Sequence, residues 1–285
     1  MSLQLVNINK KYNKKIILKD ISLEFQENVI YGLLGNNGAG KSTLLNIINN
    51  RIFSTSGQVK LIDGQEVSEG EKLNQIYLMS EDNLYPSRDK VKTIFKWTEK
   101  FYGSFDWQLA EEMAQAFELD CNKRMDKLST GYRSIAKLII ALCVPCNYIF
   151  LDEPVLGLDA NHRELFYDFL LETYQNRLRT FVISTHLIEE ISNLLEQVIL
   201  IDQGQIQAYD SVEGLLKDAY VLNGPVHEIE QLLPTVKVLD KQLLGGAVIA
   251  YVQGKLDKND LNHITSTPMN LQEYFVKVTS RKKVM

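Results

Sequence analysis

The run Gly35-Asn36-Asn37-Gly38-Ala39-Gly40-Lys41-Ser42-Thr43 sets three glycines ahead of a lysine and two hydroxyls. Glycines let a loop curl so that backbone N–H groups point inward at an anion. A helix starting directly after the loop adds about half a positive charge. In the phosphate-binding pattern Gly35-x-x-x-x-Gly40-Lys41-Ser42, the Lys41 ammonium reaches the outer phosphates of a nucleotide and the Ser42 hydroxyl ligates Mg2+. A second candidate is the acidic pair Asp152-Glu153, which closes the apolar run Tyr148-Ile149-Phe150-Leu151. Ligands of open α/β sheets collect at the C-terminal ends of buried strands. Asp152 there suits the Mg2+ shell, and Glu153, one residue on, can orient or deprotonate an attacking water.

Such chemistry requires a strand before the loop, a helix after it and further parallel strands beside both. Residues 29–34 form a nearly continuous apolar run that reads as a strand buried on both faces. Leu44, Leu45, Ile47 and Ile48 have the spacing of a helix. Short alternating runs at 4–8 and 21–25 read as earlier strands. Residues 91–102 and 107–119 carry helical spacing, with Asp106 as an N-cap. Strands are expected at 148–151, 180–184 and 198–201, separated by helices at 161–174 and 187–195, an alternation that implies parallel strands with crossover helices. A short helix at 212–219, capped by Ser211, closes the main unit. The remainder reads as a small βαββα appendage with a hairpin at Gly245-Gly246.

Composition narrows the function. Thirty-one basic against thirty-six acidic side chains give the 285-residue chain a net charge of -5, a poor balance for neutralising nucleic-acid phosphates. The most apolar stretch, 135–151, is interrupted by Lys137, Pro145 and Asn147 and falls short of the ~20 residues a membrane span needs. The first residues have no basic-then-apolar pattern and do not read as a signal peptide. Three cysteines, Cys121, Cys143 and Cys146, point to a reducing compartment. Cys143 and Cys146 lack a second pair to complete a four-ligand zinc site and read as small apolar residues. The basic clusters, Lys10, Lys11, Lys14, Lys15 and Lys19 at the start and Arg281, Lys282 and Lys283 at the end, read as solvated faces.

Several further segments, taken in order with the first two, resemble the nucleotide-binding subunit of ABC transporters over roughly the first 215 residues. Leu128-Ser129-Thr130-Gly131-Tyr132 is similar to the family signature usually read Leu-Ser-Gly-Gly-Gln. Gly157-Leu158-Asp159 resembles the D-loop, and Ser184-Thr185-His186 the segment that ends in the switch histidine. Tyr12 stands where the family has an aromatic residue stacking on adenine. Glu81 stands where the Q-loop glutamine is commonest, and Asn83-Leu84-Tyr85-Pro86 is similar to a run found in ABC-2-type exporters. On its residues alone Ser129 also reads as a plain N-cap, His186 as a core histidine and Tyr12 as a surface aromatic.

The resemblance implies an α/β fold: an ABC cassette with a mixed or parallel sheet core, an antiparallel β subdomain and a helical subdomain at about 82–145. The ATPase domain would span 1–219 and the α+β appendage 220–285. It implies ATP and Mg2+ as ligands, with Lys41, Glu153 and His186 catalytic, and residues 35–43 and Tyr12 binding ATP. Ser42, Asp152 and Glu81 would hold the metal. Ser129 and Gly131, with Thr130 and Tyr132 in place of the usual Gly and Gln, would close over ATP held by a second cassette, with Asp159 nearby. The partners implied are that second cassette and an integral-membrane transporter subunit, so the chain would sit on the cytoplasmic face of the membrane. Thr130 and Tyr132 alter the surface toward the partner's ribose, and Glu81 adds negative charge beside Asp152 and Glu153. A soluble ABC ATPase acting on ribosomes or DNA is the alternative. It is disfavoured because the chain has one cassette and no coiled-coil heptads.

Overall fold

The computed structural model describes residues 1–63, 65–66, 68–257, 261 and 263–279. The basic tail at Arg281, Lys282 and Lys283 lies outside them. The chain divides into two compact units, one formed by Met1–His186 with Ile201–Gln207, the other by Leu187–Leu200 with the residues from Ala208 onward.

In the first unit, β1 (Ser2–Tyr12), β2 (Lys15–Gln26), β4 (Ser56–Asp63) and β5 (Gln65–Glu66) make an antiparallel sheet in the order β2-β1-β4-β5. The central sheet contains β3 (Ile30–Leu34), β6 (Ile76–Met79), β7 (Tyr148–Asp152) and β8 (Thr180–Ser184), all of the first unit, and β9 (Gln197–Asp202) and β10 (Gln205–Ser211), of which only Ile201–Gln207 is counted in that unit. Its order is β10-β9-β3-β8-β7-β6. Ile30 pairs with Phe181, Tyr148 with Thr180 and Ile76 with Tyr148, all in parallel. Every residue of β3, β6, β7 and β8 is buried, as strands covered on both faces require. β3 and β7 therefore end on the same edge with only β8 between them, and the glycine loop and the acidic pair both leave from that edge.

Helices α1 (Lys41–Ile48) and α2 (Glu69–Gln75) precede the expected helical segment, which contains α3 (Val91–Tyr102), α4 (Trp107–Ala116) and α5 (Thr130–Cys143). Asp106 caps α4 by accepting from the Leu109 N–H at 3.0 Å. Ser129 caps α5 in the same way. α5 stops because Val144 precedes Pro145 and leaves the helical region, and the buried Arg179 guanidinium donates to the Leu142 and Val144 carbonyls at the helix end. α6 (Ala160–Asn176) leads into β8.

The second unit holds α7 (Ile188–Ile191), α8 (Val212–Leu216), β11 (Ala219–Pro225), α9 (Val226–Leu232), β12 (Lys237–Leu244), β13 (Ala247–Gln253), β14 (Thr265–Pro268) and α10 (Leu271–Thr279). β12 and β13 form the hairpin around Gly245-Gly246, in a sheet ordered β12-β13-β11-β14 over a core of Leu222, Ile229, Val248 and Val252. Three expectations need correction. The appendage is βαβββα rather than βαββα, because β14, a Thr-Ser-Thr-Pro segment with no apolar alternation, pairs with β11. The helix expected over 187–195 covers only Ile188–Ile191. The one expected over 212–219 ends at Leu216, because Ala219 opens β11 and pairs with Gln253.

Two outcomes follow from this packing. Phe150 is fully buried in β7 and meets Phe25 edge-on at a centroid distance of 5.7 Å, so Phe150→Ala is expected to cost about 3–5 kcal/mol. Urea denaturation measures it, and a loss below about 1 kcal/mol would contradict the buried register of β7. Burial pushes the Cys143 thiol up, and that of Cys146 up to about 12, whereas Cys121 is half-buried. Ellman's reagent should therefore leave Cys143 and Cys146 unmodified in native protein and react with all three thiols in denaturant. Fast native labelling of either would revive a redox reading of the pair.

Candidate functional site

The glycine loop is shaped by what surrounds it. A Cβ on Gly35 would sit 2.4 Å from the Ile201 carbonyl oxygen, so no other residue fits there. Gly40 has φ 109, a conformation that favours glycine, and it turns the chain into α1. Asn36, Asn37 and Gly38 are exposed at the tip, with the Ala39 N–H donating to the Asn36 carbonyl at 3.0 Å. Ser42 is exposed and Thr43 half-buried at the start of α1. α1 has no side-chain cap and no acid in its first turn, which leaves its N-terminal N–H groups for an anion.

Lys41 is only 6% exposed and donates to the Gly35 carbonyl at 2.6 Å. Burial lowers its pKa, and the negative charges of Glu153 and Asp152 oppose that shift. Asp152 ends β7 at 6% exposure, and its buried Oδ1 has no hydrogen-bond partner among the described residues. An unpartnered carboxylate oxygen inside a protein is costly, and a hard cation is the ligand that would satisfy it.

Glu153 turns sharply out of the strand at φ 47, a left-handed conformation that costs a non-glycine residue on the order of 1 kcal/mol. The Glu153 N–H donates to the Ser184 carbonyl at 2.8 Å and holds the turn. Glu153 Oε2 accepts from Thr185 Oγ1 at 3.2 Å and lies 2.9 Å from His186 Nδ1. Lys41, Asp152, Glu153 and His186 thus gather at the ends of β3, β7 and β8, and the arrangement offers a cation, an open acceptor and a base aimed by two neighbours. Thr185 was missed as a working residue. Its only signal was its place between a strand end and a histidine.

The remaining candidates lie elsewhere in the first unit and share no hydrogen bond with this cluster among the described residues. Ser129 is exposed and its Oγ accepts from the Tyr132 N–H at 3.3 Å, with Thr130 exposed and Tyr132 half-buried beside His162. A Cβ on Gly131 would meet the Gly157 carbonyl at 3.1 Å, which fits the start of α5 tightly against the loop leading to Asp159. Asp159 caps α6 through the His162 N–H at 3.0 Å and also touches His162 Nδ1. The bond from the His162 backbone N–H is the main cause of its lowered pKa. Tyr12 is 49% exposed at the end of β1, with the Lys10 ammonium 4.6 Å from its ring centroid. Glu81 is exposed just after β6. No group of three or more His, Cys, Asp and Glu side chains among the described residues has the geometry to hold a metal by itself. Any cation here would share its shell with phosphate oxygens and water.

Comparison with known proteins identifies the family. The family model described as ABC transporter matches residues 18–156. The chain is 26% identical over 284 residues to the ABC transporter ATP-binding protein YtrB of Bacillus subtilis, across 96% of this chain and 97% of that one. It is 31% identical over 248 residues to the ABC transporter ATP-binding protein YlmA of the same organism, covering 80% and 93% respectively. Among solved structures, an ATP-binding cassette captured as a dimer after hydrolysis, with ADP and phosphate bound, superposes with a TM-score of 0.63 at 25% identity, covering 73% of this chain and 98% of that one. With these relatives and this constellation at the strand ends, the chain belongs to the ABC transporter family, as an ATP-binding, ATP-hydrolysing subunit.

Proposed function

We propose that this chain powers an exporter: residues 1–219 bind and hydrolyse ATP, two such cassettes close around two nucleotides, and a separate integral-membrane subunit carries the substrate. The observation that carries the reading is the cluster of Lys41, Asp152, Glu153 and His186 beside the open start of α1. In this reading the N–H groups of residues 35–43 and the Lys41 ammonium, released from the Gly35 carbonyl, take the phosphates, and Tyr12 stacks on the base. Ser42 and Asp152, with Glu81, would hold Mg2+, which would supply charge neutralisation on the phosphates. Glu153 accepts a proton from the attacking water, and His186 and Thr185 hold its carboxylate in line.

One cassette presents two anion-binding helix starts, α1 and α5. The second stays exposed with Ser129 at its head, which supports a head-to-tail pair in which Ser129 and Gly131 cover the other chain's nucleotide. No helix among the described residues is long and apolar enough to cross a membrane, so transport requires a partner that does. A groove of about 460 Å³ beside β6 and α3, lined by Tyr77, Leu84, Tyr85, Phe101 and Lys137, is the surface assigned to that partner's cytoplasmic helix. Leu84 and Phe101 are 60% and 78% exposed there, an apolar area that a partner would cover. The exporter assignment rests on Asn83-Leu84-Tyr85-Pro86 at the rim of this groove. The chain then works at the cytoplasmic face of the membrane, without nucleic acid.

Glu153→Gln should bind ATP with near wild-type affinity and lose at least about 100-fold in kcat, because it keeps the shape and removes the base. Full turnover by this variant would remove Glu153 from that role. Lys41→Ala should weaken ATP binding at least about 10-fold by calorimetry, and unchanged affinity would contradict the phosphate assignment. For the transporter reading, tagged Glu153→Gln protein is extracted from its native membranes with ATP and its partners are identified by mass spectrometry. A multi-span membrane protein is expected, and ribosomal proteins or nucleic acid without one would overturn the reading.

A further inference from the structure

Lys137 breaks the pattern of its helix. It sits in the middle of α5 among Ile135, Ala136, Leu138 and Ile139, and it is only 5% exposed. Its Nζ crosses to the segment after β6 and donates to the carbonyl oxygens of Ser80, at 2.9 Å, and Glu81, at 2.8 Å. It has no ion-pair partner among the described residues. Burial lowers its pKa, and the charges of Glu81 and Asp82 oppose that shift. Of the residues of α5, Lys137 alone lines the groove beside β6.

A second cation holds the same segment. Arg51, three residues beyond the end of α1, donates to the Leu78 carbonyl at 2.6 Å and to Ser80 Oγ at 3.0 Å. Residues 78–81 are therefore tied by one cation to the helix that starts at Lys41 and by another to the helix that starts at Ser129. A methionine would fill the site of the Lys137 stem without a buried charge, and replacing buried charges by apolar groups of similar volume is often neutral or stabilising. Stability alone therefore does not explain a lysine there, and its two bonds to one backbone segment point to what it holds in place.

We propose that Lys137 is a positioning residue: it fastens the Ser80-Glu81 backbone to α5, so that the groove, the Glu81 carboxylate and the Ser129 end of α5 move as one body. The functional half of this rests on the reading of Glu81 as a group beside the nucleotide, so Glu81→Ala is measured in parallel. The experiment uses the full chain as wild type, Lys137→Met, Lys137→Arg and Glu81→Ala. Each is examined by hydrogen exchange without nucleotide, by thermal melting and by steady-state ATP hydrolysis.

In Lys137→Met, the amides of residues 80–83 should exchange about 10-fold faster than in wild type. Its kcat should fall about 10-fold, its KM for ATP should stay within about 2-fold, and its Tm should be unchanged or raised. Lys137→Arg, which keeps the charge and the donors, should recover most of the kcat. Wild-type exchange at 80–83, or wild-type kcat, in Lys137→Met overturns the proposal. A parallel fall of Tm and kcat with faster exchange along the whole chain also overturns it, because Lys137 is then an ordinary structural residue. If Glu81→Ala hydrolyses ATP normally while Lys137→Met does not, the role of Glu81 falls and that of Lys137 stands.

Discussion

A single buried ammonium sets the terms for the rest of the structure. Lys41 has left water almost completely, and its immediate support is a carbonyl of its own loop. Desolvating such an ion costs several kcal/mol, and the Gly35 carbonyl, a longer bond to the Asn36 carbonyl and two nearby carboxylates recover part of it. A polyanion at the same place would recover more. The sheet order makes this possible, because β3, β8 and β7 are neighbours whose ends deliver Lys41, Ser184 to His186 and Asp152-Glu153 to one edge. The glycines are equally bound to that geometry, since at Gly35 the Ile201 carbonyl leaves no room for a side chain.

The carboxylate beside this lysine is arranged so that its two residues differ. Asp152 stays in the strand with an unpartnered oxygen, whereas Glu153 is swung out through a left-handed turn and fixed by Thr185 and His186. Adjacent acids in a regular strand would point to opposite faces. The left-handed turn at Glu153 breaks that alternation, and the Ser184 carbonyl stabilises a conformation that glutamate disfavours. In the proposed site Asp152 would face the metal and Glu153 the attacking water, and the turn held by the neighbouring strand is what would separate them.

The parts of this arrangement that were legible in the sequence are those whose chemistry is contiguous. The loop 35–43 carries its glycines, lysine and hydroxyls in one run, and Asp152-Glu153 follows a strand that is apolar without interruption. The parts that were not legible depend on contacts between distant segments. Lys137 in the sequence only breaks an apolar run, and its bonds to Ser80 and Glu81 span more than fifty residues. Arg51 has no signal in the sequence for its bonds to Leu78 and Ser80, which form only once β6 lies beside it. Element ends failed for local reasons: α7 and α8 stop where polar or strand-forming residues take over, and β14 has no apolar alternation to announce it. Tyr12, Ser129 and Asp159 are exposed, and the roles read for them require a nucleotide or a second chain to become visible.

The central claim is that each chain holds half of a nucleotide site and that ATP completes it by joining two chains. Sedimentation velocity of Glu153→Gln protein, with saturating ATP and Mg2+ or with ADP and Mg2+, tests this most directly. A dimer with ATP and a monomer with ADP is the result the account predicts. A monomer under both conditions, in protein shown by calorimetry to have bound ATP, would contradict it.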